Sequence, residues 1–149
     1  MATSTLLQTL NGVDNEMGIS ASARRQTETF LAGGAIAAND LVSLDLTKSA
    51  TADKALYIKK ADANTGAGLV AVGFALSSVV AGEPCEVTIA GVHQSANVVT
   101  VAEGDRLKVS PTAGRAGVYG AGDTVPVLGY ALAADGGDNI APVFVIKQF

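Results

Sequence analysis

The sequence predicts an all-β fold, a compact antiparallel β-barrel or sandwich of about ten short strands behind an extended N-terminal arm. Three observations lead there. Short alternating or wholly apolar runs recur at close spacing, bounded by Gly, Asn, Asp and Pro. No convincing amphipathic helix of three turns appears in the chain. The length, 149 residues, suits one domain, or one domain with a tail.

The elements follow in order. Residues 1–26 read as the arm. Leu6, Leu7 and Leu10 line one helical turn at most, and Asn11-Gly12 stops it. Gly18 and Ser20-Ala21-Ser22-Ala23 are flexible in composition, so the arm is expected to lie across a neighbouring chain or to order on binding. Residues 27–149 read as the β domain. Its first run, 27–32, sets Thr27, Thr29 and Leu31 against Glu28, Phe30 and Ala32. Strands are expected at 41–46, at 54–60 with Leu56 and Ile58 on one face, and at 69–76, which is apolar on both faces as a buried strand is. The remaining runs are 86–92, 97–102, 106–110, 117–120, 125–132 and 141–149. The segments 69–76, 87–92, 125–132 and 143–146 are the expected centre of the barrel.

Two internal repeats run through this pattern. Val72-Gly73-Phe74-Ala75-Leu76 returns 56 residues later as Leu128-Gly129-Tyr130-Ala131-Leu132, and the same offset carries Val87-Thr88-Ile89 onto Val143-Phe144-Val145. Phe74 and Tyr130 should therefore occupy equivalent places. The second repeat is a turn. Asn39-Asp40, Gly104-Asp105 and Gly122-Asp123 each follow a small residue and lead into an expected strand. Asn or Gly admits a left-handed backbone there, and the Asp carboxylate closes the turn.

Composition narrows the function. Charged residues are 16%, against about a quarter in ordinary domains. Much of the surface is then uncharged, which suits contact with other protein. A net charge of −4 argues against nucleic acid, and the lack of an apolar run near twenty residues argues against a membrane span. The start of the chain has neither the basic stretch nor the apolar stretch of a signal peptide, and one Cys excludes an internal disulfide, so a reducing cytoplasm is the expected site of synthesis.

Candidate chemistry is sparse. His93 is the single histidine, placed where a strand meets a turn, with Glu86 and Asp105 as conceivable orienting partners for a general base. Cys85 is flanked by Glu86, and neighbouring carboxylates raise a thiol pKa. Asp135-Gly136-Gly137-Asp138 lacks the further ligands of a calcium loop and reads as a turn, as does the segment from Asp62 to Gly68. Lys59-Lys60 reads as a solvated strand end. Arg115, between glycines, has a shape that suits a phosphate, as in trimeric β-barrel nucleotidohydrolases, but the other motifs of those enzymes are missing. No catalytic, cofactor-binding or metal-binding residue is assigned, and the chain is not expected to be an enzyme.

The segments Gly34-Ala-Ile36-Ala-Ala-Asn39-Asp40-Leu-Val42, Val72-Gly-Phe74-Ala-Leu76, Ala81-Gly-Glu83 and Val87-Thr-Ile89-Ala-Gly91-Val92, with their second copies at 101–105 and 128–146, resemble the small β-barrel decoration (cement) proteins of tailed-bacteriophage capsids. The resemblance covers about residues 32–147 and rests on strand and turn patterns. It implies a homo-oligomer, most often a trimer, on the outside of an icosahedral head. There it would stabilise the shell by bridging major capsid protein subunits, with no catalytic residues. The competing expectation is a ligand-binding β-domain for a carbohydrate or a receptor. Such domains use exposed aromatics, whereas aromatics are 5% here, Trp is absent, and Tyr57, Tyr119 and Tyr130 lie far apart in the chain.

Overall fold

In this chain alternating apolar residues make strands, and the Asp turns let the strands reverse. The computed structural model describes residues 24–65 and 70–148. The expected arm up to residue 23, the Gly66 to Leu69 part of the long turn, and Phe149 lie outside the described residues. The elements are β1 (Arg25–Ala32), β2 (Leu41–Leu44), α1 (Thr51–Leu56), β3 (Tyr57–Lys60), a short 3-10 turn (Ala63–Thr65), β4 (Ala71–Ala75), β5 (Pro84–Val99), β6 (Arg106–Val109), β7 (Ala116–Val118), β8 (Gly129–Ala131) and β9 (Ile140–Val145). The fold is all-β apart from the one short helix and the 3-10 turn.

The sheet closes on itself twice. Hydrogen bonding runs β1-β3-β2-β4-β5 and returns from β5 to β1; it then runs β5-β7-β6-β8-β9 and returns from β9 to β5. Two small five-stranded barrels therefore share one long strand. Residues 84–91 of β5 pair with β1, and residues 91–97 pair with β9. The two barrels are copies of each other. Phe74 pairs with Thr88 and Ala75 with Val87 in the first; Tyr130 pairs with Phe144 and Ala131 with Val143 in the second, each 56 residues on. Leu41 faces Phe74 as Arg106 faces Tyr130. Even the parallel pairs correspond, Ala32 with Ile58 and Val98 with Ala116.

The interiors repeat with the strands. The first core is built on Phe30, Ala32, Ile36, Val42, Ile58, Val72, Ala75, Cys85, Val87 and Ile89. Each has a counterpart in the second core: Phe30 with Ala96, Val42 with Leu107, Ile58 with Ala116, Val72 with Leu128, Val87 with Val143, Ile89 with Val145, and so on. Four side chains of the first barrel, Leu41, Ala61, Ala71 and Phe74, lie outside this scheme and join the second core. They belong to the outer face of the first barrel and bind the two barrels together.

The Asp turns repeat as expected. Asp40 Oδ2 accepts the Ala37 N–H and Asp105 Oδ2 the Ala102 N–H, both at 2.8 Å, and Asp123 Oδ2 accepts from Gly120. Asn39, Gly104 and Gly122 have φ of 70°, 85° and 97°, the left-handed conformation that selects Asn or Gly. Gly73 and Gly129 are held by crowding. A Cβ would stand 1.9 Å from the Thr88 carbonyl oxygen at the first and 2.1 Å from the Phe144 oxygen at the second, and these two carbonyls are themselves counterparts.

Four expectations need correction. The sheet is mixed, because β1–β3 and β5–β7 are parallel. The expected strand at 54–60 is half helix. Thr51-Ala-Asp-Lys-Ala-Leu56 is rich in helix formers, and the strand ladder begins only at Tyr57, so Leu56 is exposed while Ile58 is buried. The two expected strands at 86–92 and 97–102 are one strand that ends at Val99. Gly91, with φ of 86°, lies at the change of barrel, and a bulge follows between His93 and Ala96. Finally, β8 is short, and Val125 and Leu132 at the ends of the expected strand 125–132 are exposed.

Candidate contact surface

The chemistry-bearing side chains are spent on structure. His93 lies inside β5 and is buried, not at a strand-to-turn junction. Its ring stacks on Phe74 with centroids 5.3 Å apart. Nε2 is 3.1 Å from Asn39 Oδ1 and Nδ1 is 3.0 Å from Thr88 Oγ1, so neither Glu86 nor Asp105 orients it. The arrangement suits a neutral ring that donates from Nε2 to the Asn39 side-chain oxygen Oδ1 and accepts the Thr88 hydroxyl at Nδ1. Burial first, and then the charge of Arg25, push the imidazole pKa down to about 4. Cys85 is fully buried, and burial, not the adjacent carboxylate, raises its thiol pKa.

Several charged residues are similarly engaged. Lys60 Nζ lies 2.9 Å from Asp40 Oδ2, and Lys59 Nζ 3.5 Å from Asp45 Oδ1, so the lysine pair serves two buried carboxylates and is not a free strand end. Burial pushes the Asp45 carboxyl up, but the Thr47 hydroxyl and N–H and the Lys59 ammonium outweigh it and hold the group below its ordinary value. Arg115 donates from Nη1 to the Val98 carbonyl at 3.1 Å. Asp138 Oδ1 accepts the Ile140 N–H at 3.0 Å in the turn before β9. Among the described residues no three His, Cys, Asp or Glu side chains gather as a metal site. A groove of about 240 Å³ opens at the seam of the barrels; Ala63, Val70, Ala71, Val109, Val125 and Leu128 line it, and none is ionisable.

What remains is a surface. On the outer face of the second barrel, one row of directly opposed residues crosses the sheet from β5 through β9 and β8 to β6. It reads Val92, Phe144, Tyr130, Arg106. Tyr130 is 41% exposed and Phe144 40%. Leu132 and Ile140 extend the exposed apolar patch toward one end of the β8–β9 ribbon. The Arg106 guanidinium lies over the Tyr119 ring, 5.2 Å from its centroid, and the Tyr119 hydroxyl donates to the Asp123 carbonyl. Sequence reading placed Phe74 and Tyr130 in equivalent positions, and in register they are. Their surroundings differ: Phe74 is 1% exposed because the second barrel covers it, and the second barrel has nothing over Tyr130 among the described residues. Periodicity could not reveal this patch, since a strand's pattern does not say which face a neighbour covers.

No family model matches the sequence, and no curated protein matches it either. Among solved structures, the chain is similar to the head fiber gp8.5 N base in bacteriophage phi29. The identity is 19%, the match covers 82% of this chain and 94% of that one, and the TM-score is 0.49.

Proposed function

We propose that this chain is a non-enzymatic structural protein of a virion that binds the outside of an icosahedral phage head, stabilises it by bridging major capsid protein subunits, and acts as a homo-oligomer, a trimer in the simplest case. The observation that carries this reading is the exposed apolar face of Tyr130, Phe144, Leu132 and Ile140 on a double barrel in which His93 and Cys85 are buried and no metal-site cluster forms among the described residues. The repeated strand and turn segments that resemble decoration proteins support it. A protein of this kind needs many copies of a modest contact, made firm by oligomerisation and high effective concentration. Contacts made by neutral and apolar groups should resist salt far better than a basic patch on nucleic acid does. The test is the survival of heads with and without the protein under heat or osmotic shock. Added protein should protect them, and equal survival removes the cement role.

One observation favours a second reading. The cross-strand pairing sets Tyr130 beside Phe144, two exposed rings side by side, as a glycan-stacking platform has them. A carbohydrate-binding role on the virion predicts glycan retention that Tyr130→Ala abolishes. Particle protection without glycan retention leaves the cement reading in place.

A further inference from the structure

The repeat supplies a template for what the open face takes. In the first barrel, the outer face carries Leu41, Ala61, Ala71 and Phe74, and the second barrel covers all four. The cover is held by the β5 strand and by the turn that follows β6. The Asn97 N–H donates to the Asn39 carbonyl at 3.0 Å, the Leu41 N–H to the Gly114 carbonyl at 2.7 Å, and the Gly114 N–H to the Ala61 carbonyl at 2.8 Å. The register places Arg106, Tyr119 and Tyr130 as counterparts of Leu41, Ala61 and Phe74. The counterpart hydrogen bonds are present as well: the Ala61 N–H donates to Leu41 and the Tyr119 N–H to Arg106. The second barrel thus carries the face by which the first is docked, and nothing among the described residues covers it.

Among the described residues the complementary end is uncovered as well. The turn after β6 that docks in the second barrel has, as its counterpart in the first, the longer segment between β2 and β3, which holds α1. That helix buries none of its side chains, and Leu46 and Leu56 on this segment are exposed. We infer that the open face of Arg106, Tyr130 and Phe144 on the second barrel takes the Leu46–Leu56 end of the first barrel of another copy of this chain, so that copies join head to tail. The contact inside one chain already joins two unlike surfaces. Its repetition between chains is heterologous, which makes a ring where the rotation closes and a fibre where it does not. The inference deepens the proposed oligomer by naming its contact, and rests on that proposal only in expecting self-association.

Complementation tests it. Full-length chain, Tyr130→Asp and Leu56→Asp are compared by light scattering at matched high concentration, with circular dichroism to check folding; both substitutions lie at exposed positions. Unaltered protein should exceed the monomer mass, and each variant alone should be a monomer. An equal mixture should form a dimer and stop, because each variant keeps one intact surface. A monomeric unaltered protein overturns the inference. So does a Leu56→Asp variant that associates as fully as unaltered protein, which indicates two open faces meeting across a two-fold axis. Association that survives Tyr130→Asp but is lost when residues 1–23 are removed assigns the contact to those residues instead. If Tyr130→Asp does not fold, Phe144→Asp replaces it. Particle protection is scored separately. Protection by a monomer sinks this inference together with the proposed oligomer and leaves the cement role standing; head-to-tail association without protection removes the cement role and leaves the contact in place.

Discussion

His93 shows how a residue that looks chemical is used structurally, and it makes a testable pH dependence. In the folded chain its pKa is about 4, because burial and Arg25 oppose the charged ring; in the unfolded chain it is near the ordinary value of about 6.5. Between those values the unfolded state binds more protons. The stability that the neutral ring contributes is therefore complete above pH 6.5 and is lost progressively as the pH falls toward 4, by about 3 kcal/mol. Asp45, whose carboxyl is held low, keeps its contribution through this window and loses it only below its ordinary range. Urea unfolding from pH 7 to 4 should show the slope, and His93→Gln should flatten it. An unchanged slope would move the effect to other groups. Ser43 tests the opposite case. Its hydroxyl is buried without a hydrogen-bond partner among the described residues. Ser43→Ala removes a buried polar group that nothing satisfies, so it should be neutral or stabilising by about 1 kcal/mol in the same assay.

At the scale of elements, the parts legible in the sequence are those where identical letters do identical work. The Gly of Val-Gly-Phe and of Leu-Gly-Tyr stands in both copies because β5 presses on β4 in the first barrel as β9 presses on β8 in the second. Gly73→Ala and Gly129→Ala should each destabilise by roughly 1–3 kcal/mol, since backbone must shift to admit a methyl group. A negligible loss at either site, measured by thermal unfolding, would break the equivalence of the two ladders. The Asp turns were legible for the same reason, their chemistry being local. What was not legible depended on distant partners. Gln94 and Ser95 look like a turn, yet they form a bulge inside β5, which pairs with β9 on both sides of them. Leu56 alternates with Ile58 on paper, but no strand reaches it, and the backbone coils into α1. The Asp40–Lys60 pair joins residues twenty apart, beyond what periodicity reports.

At the scale of the whole molecule, the shared strand and the four joining side chains decide how the chain unfolds. Two barrels linked by a flexible tether would melt independently. Here β5 runs as one strand from the first barrel into the second, and Gly91 is paired to both β1 and β9, so the two ladders meet on one continuous backbone. Phe74 lies where the coupling is greatest. It stands on β4 of the first barrel, packs into the second core and stacks on His93, which belongs to the half of β5 that pairs with β9. Phe74→Ala leaves a cavity at that seam and should cost about 3–5 kcal/mol. The more telling expectation concerns the shape of the transition. The unaltered chain should unfold in one calorimetric step, with calorimetric and van't Hoff enthalpies in agreement. In Phe74→Ala the β5 backbone, the Leu41, Ala61 and Ala71 side chains, the Asn97 bonds and the Gly114 turn still join the barrels, so the melting temperature should fall while the step remains single. Two resolved steps in the variant would show that the aromatic contact, not the shared strand, makes the barrels one unit. Two steps in the unaltered chain would show that each barrel holds its own core unaided, and that the second barrel covers Phe74 without stabilising the first.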